Sequence, residues 1–138
     1  MKLIVSPASP FVRKVRVVID ESGLTDKVQP VPVQTTPLVT DPAARNANPL
    51  GKIPALVLDD GKSLFDSRVI CRYLNDFSGA GLYPAEQIWD VLTLEALADG
   101  IMEAAVLMVY EGRLREEETD QRPGLRRNGK KSPTRLTR

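Results

Sequence analysis

Apolar residues change their spacing several times along this chain, and each change marks an element. Lys2–Val5 is a short apolar run that stops at Ser6-Pro7, the pattern of a buried strand. Ser9-Pro10 then offers an N-cap with proline at the first helical position, where a missing N–H removes nothing. From about Pro10 to Ser22, Phe11, Val15, Val18 and Ile19 share one face, while Arg13, Lys14, Asp20 and Glu21 lie mostly off it. Gly23 closes that helix. Val28–Pro32 alternates weakly, and Pro30 and Pro32 confine it to a sheet edge. Residues 34–48 have no strong period, except that Asp41-Pro42-Ala43-Ala44-Arg45 predicts a short helix capped by Asp41. Ala55–Leu58 and Ser63–Phe65 read as strands joined by the hairpin turn Asp59-Asp60-Gly61-Lys62. Asp66-Ser67 opens another helix, to about Phe77, and Ser78-Gly79-Ala80-Gly81 closes it.

This order, βαβ, a variable segment, then ββα, predicts an α/β fold. A right-handed crossover makes the first two strands parallel and the hairpin adds an antiparallel pair, so a mixed four-stranded sheet with helices on both faces is expected. After Leu82-Tyr83-Pro84 a long helical stretch starts near Ala85 and is expected to reach toward Glu118. Between Leu94 and Tyr110 its apolar and small residues run almost fully round, interrupted mainly by Glu95, Asp99 and Glu103. Such a helix needs burial on more than one side. Residues 113–138 hold few large apolar side chains and many charges, and are expected to be disordered. The expected organisation is an α/β domain over residues 1–81, the start of an all-helical domain over 82–118, and a disordered basic tail over 119–138.

Charge sharpens that division. Residues 1–112 hold 10 Lys+Arg against 14 Asp+Glu, and residues 113–138 hold 9 against 4. The folded part is mildly acidic and the tail basic, but the tail has no aromatic residue on which a base could stack. No nucleic-acid partner is expected. One cysteine, Cys71, and no histidine exclude a disulfide framework, a His/Cys zinc site and any histidine-dependent nucleophile. Cys71 lies on the apolar side of its helix with Ile70 and Leu74 and reads as a core residue. Lys2 is followed by only three apolar residues, too few for a signal peptide, and no run approaches a membrane span. A soluble, cytoplasmic protein is expected.

Three short signals carry the chemistry. Ser9 places a hydroxyl among the unpaired N–H groups at the positive end of a helix. A thiol brought there would be drawn toward thiolate; a two-unit depression of its pKa requires about 3 kcal/mol, within reach of one charge-assisted bond plus helix-end N–H groups. Asn48-Pro49-Leu50-Gly51-Lys52-Ile53-Pro54 sets a turn, a cation and an X-Pro bond directly before a strand. Lys52 has an arm suited to a ligand carboxylate. Asp66-Ser67 offers an acidic side chain for an ammonium group and a helix-start hydroxyl and N–H groups for a carboxylate. Each has a plainer reading: Ser9 and Asp66-Ser67 as helix caps, Lys52 as a solvated turn residue, Pro54 as a trans proline opening a strand. Together they describe a site for a charged, peptide-like ligand.

In order and spacing, Ser9-Pro10-Phe11, Asn48 to Leu56 and Asp66-Ser67 resemble the amino-terminal domain of glutathione transferases, over about residues 1–112. The serine-type members, where a serine followed by Pro-Phe activates glutathione, are the most similar. The resemblance implies a thioredoxin-like domain and an enzyme of detoxification, acting in the cytoplasm as a homodimer. Ser9 would be catalytic and would polarise the glutathione sulfur. Pro54 would be cis, so that Ile53 pairs with the cysteinyl backbone in β-fashion; Lys52 would meet the glycine carboxylate; Asp66 and Ser67 would hold the γ-glutamyl end. Glutathione and a small electrophile would be the co-substrates, with no metal, no other cofactor and no membrane partner.

The chain also departs from the family, whose members continue into a second domain of several helices that forms much of the electrophile pocket. Here residues after Thr119 do not resemble the family, which motivates the expectation of a truncated or frameshifted reading of a longer gene. The alternative to an enzyme is a binding or dimerisation module of the same fold without turnover. A glutathione-dependent reductase or peroxidase is disfavoured because a serine stands at position 9.

Overall fold

A computed structural model describes residues 1–36 and 38–114. The segment expected to form a basic tail, residues 119–138, lies outside the described residues, as do residues 115–118, where the long helix was expected to end. The elements follow the sequence order: β1 Lys2–Val5, α1 Pro10–Glu21, β2 Gln29–Pro32, α2 Pro42–Ala47, β3 Ala55–Val57, β4 Ser63–Leu64, α3 Ser67–Ser78, a 3-10 turn Ala85–Gln87, and α4 Ile88–Leu114.

The sheet runs β2-β1-β3-β4, and the proline-bearing β2 takes an edge as its composition requires. β1 pairs parallel with β2 (Lys2 opposite Gln29) and antiparallel with β3 (Ile4 opposite Ala55); β3 pairs antiparallel with β4 (Leu56 opposite Leu64). Strand side chains alternate between faces, and the core divides accordingly. Leu3, Val5 and Leu56 meet Val12, Val15 and Ile19 of α1 and Ile70, Cys71 and Leu74 of α3. Ile4 and Ala55 meet Ala44 and Ala47 of α2, with Val33 beside them. This is the expected thioredoxin-like arrangement. Leu3, Leu56, Ile70 and Leu74 are fully buried, and each contributes on the order of 1.5–3 kcal/mol relative to exposure.

Details differ from the sequence reading. The inner face of α1 is Val12, Val15 and Ile19, with Phe11 and Val18 only half-buried. The helix is turned so that the i, i+3, i+7 row meets the sheet, a choice made by packing against α3. β3 stops at Val57 because Leu58 already belongs to the turn, with its N–H bonded to Lys62 O and its C=O to Gly61 N–H, and β4 ends at Leu64, one residue short of the expected Phe65. The Asp41 cap on α2 is present, Oδ1 accepting from Ala43 N–H at 2.8 Å.

Residues Met1–Ala104 form one compact unit, which includes the first part of α4. Within it Trp89, Leu94, Leu97 and Ile101 stay exposed. In the second unit, from Ala105, the described end of α4 exposes Leu107 and Met108. Although α4 has 27 residues, no helix among the described residues is long and apolar enough to cross a membrane.

Candidate functional site

Because β1 and β4 both run antiparallel to β3, the ends of β1 and β4 and the start of β3 lie at one edge of the sheet. Carried one step past Ile4–Ala55, the register brings Pro54 level with Val5. Carried two steps past Leu56–Leu64, it brings Pro54 level with Asp66. The start of α1, the Ile53-Pro54 bond and the start of α3 therefore share one edge, which unites all three sequence signals.

At that edge Ser9 caps α1: its Oγ accepts from Val12 N–H at 3.3 Å, and its own N–H donates to Ser6 O at 3.1 Å. The side chain is half-buried, and its hydroxyl proton has no acceptor among the described residues. Lys52 is exposed and has no ion-pair partner there. The Ile53-Pro54 bond is cis, as is Phe65-Asp66. Ile53 is half-buried between the two halves of the core, yet its backbone N–H and C=O make no hydrogen bond among the described residues. Asp66 is exposed and caps α3 through Oδ1, which accepts from Arg68 N–H at 3.0 Å. Ser67 is 3% exposed. The capping readings of Ser9 and Asp66 are thus correct as local structure, and a cap leaves the remaining lone pairs and N–H groups of each free for a ligand.

One cluster escaped the sequence reading. Asp99 of α4 is 1% exposed and accepts from Lys14 of α1 at 2.8 Å and from Arg68 of α3. Glu95, one turn earlier, accepts from Lys14 at 2.9 Å and from Tyr83 Oη at 3.1 Å. Burial works against the charge of Asp99, but the hydrogen bonds from Lys14 and Arg68 prevail and hold its carboxyl below the ordinary range. Burial likewise opposes the Lys14 charge, and the bonds to Asp99 and Glu95 overcome it and raise its pKa. The available signal was the pair Glu95 and Asp99, four residues apart within the apolar stretch from Leu94, where a buried acid calls for a cationic partner. Beside this cluster Cys71 is buried and its thiol is pushed up to about 12, chiefly by desolvation, so it stays protonated and is unsuited to thiol exchange.

The described residues also line two hollows. One of about 270 Å³ is lined by Lys14, Val18, Cys71, Tyr83, Leu94 and Glu95, among others. A shallow groove of about 430 Å³ runs along Leu64, Arg68, Val69, Arg72, Tyr73 and Asp76. Neither is lined by Ser9, Ile53 or Ser67. The open backbone of Ile53 and the free hydroxyl proton of Ser9 sit on the sheet edge, while the buried Ser22 Oγ, which also lacks a partner among the described residues, lies at the other end of α1. Among the described residues no group of three or more His, Cys, Asp or Glu side chains is placed to hold a metal ion.

Comparison with known proteins meets the same region. The family model described as "Glutathione S-transferase, N-terminal domain" matches residues 8–76. An uncharacterised GST-like protein, YibF, of Escherichia coli K12 is 38% identical over 114 residues, covering 80% of this chain and 54% of its own. Glutathione S-transferase 3 of Zea mays is 41% identical over 88 residues, covering 62% and 39%. Among solved structures, a glutathione transferase family member from Pseudomonas fluorescens Pf-5, with bound glutathione, superposes with a TM-score of 0.82 at 49% identity, covering 86% of this chain and 59% of the other. The chain spans about half the length, or less, of the curated relatives it matches.

Proposed function

Taking as premise that the chain belongs to the glutathione S-transferase family, we propose that its sheet edge binds glutathione and activates the thiol for conjugation to an electrophile. The observation that carries this reading is the open backbone of Ile53 on the same edge as two capped helix starts. The cysteinyl backbone pairs with Ile53 N–H and C=O as an added strand. Lys52 faces the glycine carboxylate. Asp66 takes the α-ammonium of the γ-glutamyl group, and the Ser67 hydroxyl with the α3 N-terminal amides takes its carboxylate.

That alignment sets the sulfur beside Ser9. The Ser9 hydroxyl donates its unassigned proton to sulfur, and the positive end of α1 favours negative charge there. The thiol proton leaves to water. The thiolate then forms a carbon–sulfur bond with the electrophile, and the leaving group departs with the electron pair of the bond that breaks. The network of Lys14, Arg68, Asp99 and Glu95 takes no part in proton transfer; Arg68, next to Ser67, ties the start of α3 to α4.

A second reading, binding without turnover, is favoured by the exposed apolar face of α4, since in the family further helices build the electrophile pocket. Calorimetric titration with glutathione, followed by conjugation of a chloronitrobenzene, separates the two. Saturable one-site binding is expected, with chloride release and thioether formation in the native chain. Ser9→Ala should lower turnover by about tenfold or more, equivalent to at least about 1.4 kcal/mol of transition-state stabilisation. Binding with no turnover selects the second reading; no binding defeats both.

A further inference from the structure

Four polar side chains are buried among the described residues: Asn48, Ser67, Asn75 and Asp99. Asn48 is distinguished by where its bonds go. Its Oδ1 accepts from Leu50 N–H at 3.0 Å and its Nδ2 donates to Lys52 O at 3.0 Å. Its backbone N–H donates to Ala44 O at 2.9 Å, and its C=O accepts from Gly51 N–H at 2.7 Å. Both side-chain bonds end on the segment leading into Ile53. The segment is confined at Gly51 as well: its φ is +65, and a Cβ there would lie 2.6 Å from Thr40 Cγ2.

The Lys52 carbonyl and the Ile53 N–H belong to one planar peptide unit. That unit is trans, so fixing the direction of the carbonyl fixes the N–H in the opposite direction. A buried side chain that holds Lys52 C=O inward therefore aims Ile53 N–H outward, where it has no protein partner. We propose that Asn48 is a positioning residue for glutathione recognition: its amide clamps the Lys52–Ile53 peptide plane and presents Ile53 N–H to the ligand backbone. The inference rests on the glutathione-binding reading above and deepens it. Only a side chain of this length carrying both a donor and an acceptor holds Leu50 N–H and Lys52 C=O together; aspartate keeps the first bond and loses the second.

The test sets Asn48 against Asn75, a second buried asparagine, whose Oδ1 accepts from Leu82 N–H at 2.7 Å in the turn after α3. Glutathione Kd is measured by calorimetry for the native chain, Asn48→Ala, Asn48→Asp and Asn75→Ala, at a temperature where circular dichroism shows each folded. Both Asn48 variants should lose about tenfold in affinity, the worth of one well-placed hydrogen bond. Asn75→Ala should stay within about twofold of the native Kd, whatever it does to Tm. Equal affinity loss in all three, or native affinity in the Asn48 variants, overturns the proposal. Native chain that does not bind overturns the site reading itself, and this inference with it. Should both Asn48 variants fail to fold, amide exchange in the native chain decides. Ile53 N–H should exchange fast when free and slowly with glutathione bound; protection already present in the free protein contradicts the clamp.

Discussion

The four-stranded layer and α4 are built from similar side chains put to opposite use. Where the layer meets α3, Leu3 and Leu56 of the strands and Ile70 and Leu74 of the helix are buried among partners from other elements. Along α4, Leu94, Leu97, Ile101 and Leu107 are each more than 60% exposed, and its buried residue is the acid Asp99. The layer satisfies its apolar residues by packing and keeps open polar groups at one edge. The helix instead presents apolar residues to solvent and makes its strong contacts through charge. An α/β unit can thus bury its apolar residues and still keep polar groups open, while an all-round apolar helix calls for cover.

Core truncation should break the contrast hardest. Leu74→Ala should cost about 2–5 kcal/mol of unfolding free energy in urea titration, from lost burial and the cavity left behind. Leu107→Ala should change it by no more than about 0.5 kcal/mol. A comparable loss at both positions would mean the α4 face is covered in solution.

The charged cluster gives the next effect. Asp99→Asn should destabilise by about 1.5–3 kcal/mol, toward the lower end because solvent screens the half-exposed Arg68. The sign with pH follows from the carboxyl being held below its unfolded value of about 3.9. Its contribution is complete above about pH 4 and is lost as pH falls through the lower folded pKa. The native chain should therefore lose more stability than Asp99→Asn on acidification below about pH 4, and parallel curves would refute the assignment. The smallest effect on folding, and a distinct one on solution state, is expected from Leu107→Glu. It should reduce the self-association and dye binding that the exposed α4 face drives. A monodisperse native chain with low dye binding would count against that view of α4.

Much of the layer was legible because its signals are local. Proline at positions 30 and 32 confined β2 to an edge, Ser9-Pro10 marked a helix start, and Asp59 to Lys62 marked a hairpin. The inner face of α1 was misjudged at Phe11 and Val18, since two adjacent apolar rows compete and α3 decides between them. The candidate site was legible as three motifs, and the register brings their segments to one edge. Glu95 and Asp99 hinted at a cationic partner, but which cations meet them was not readable, because Lys14 and Arg68 lie 31 to 85 residues away. In the sequence Asn48 reads as part of a turn; its side-chain bonds to Leu50 N–H and Lys52 C=O depend on how the backbone folds back around it.

The most direct trial is an amide chemical-shift titration of the labelled chain with reduced glutathione. Saturable shifts should appear together at Ser9, Ile53 and Ser67, with little change at Val18, Tyr83 and Leu94 around the hollow beside Cys71. Shifts centred on that hollow, or none at the sheet edge at millimolar ligand, would contradict the assignment of this edge as the glutathione site.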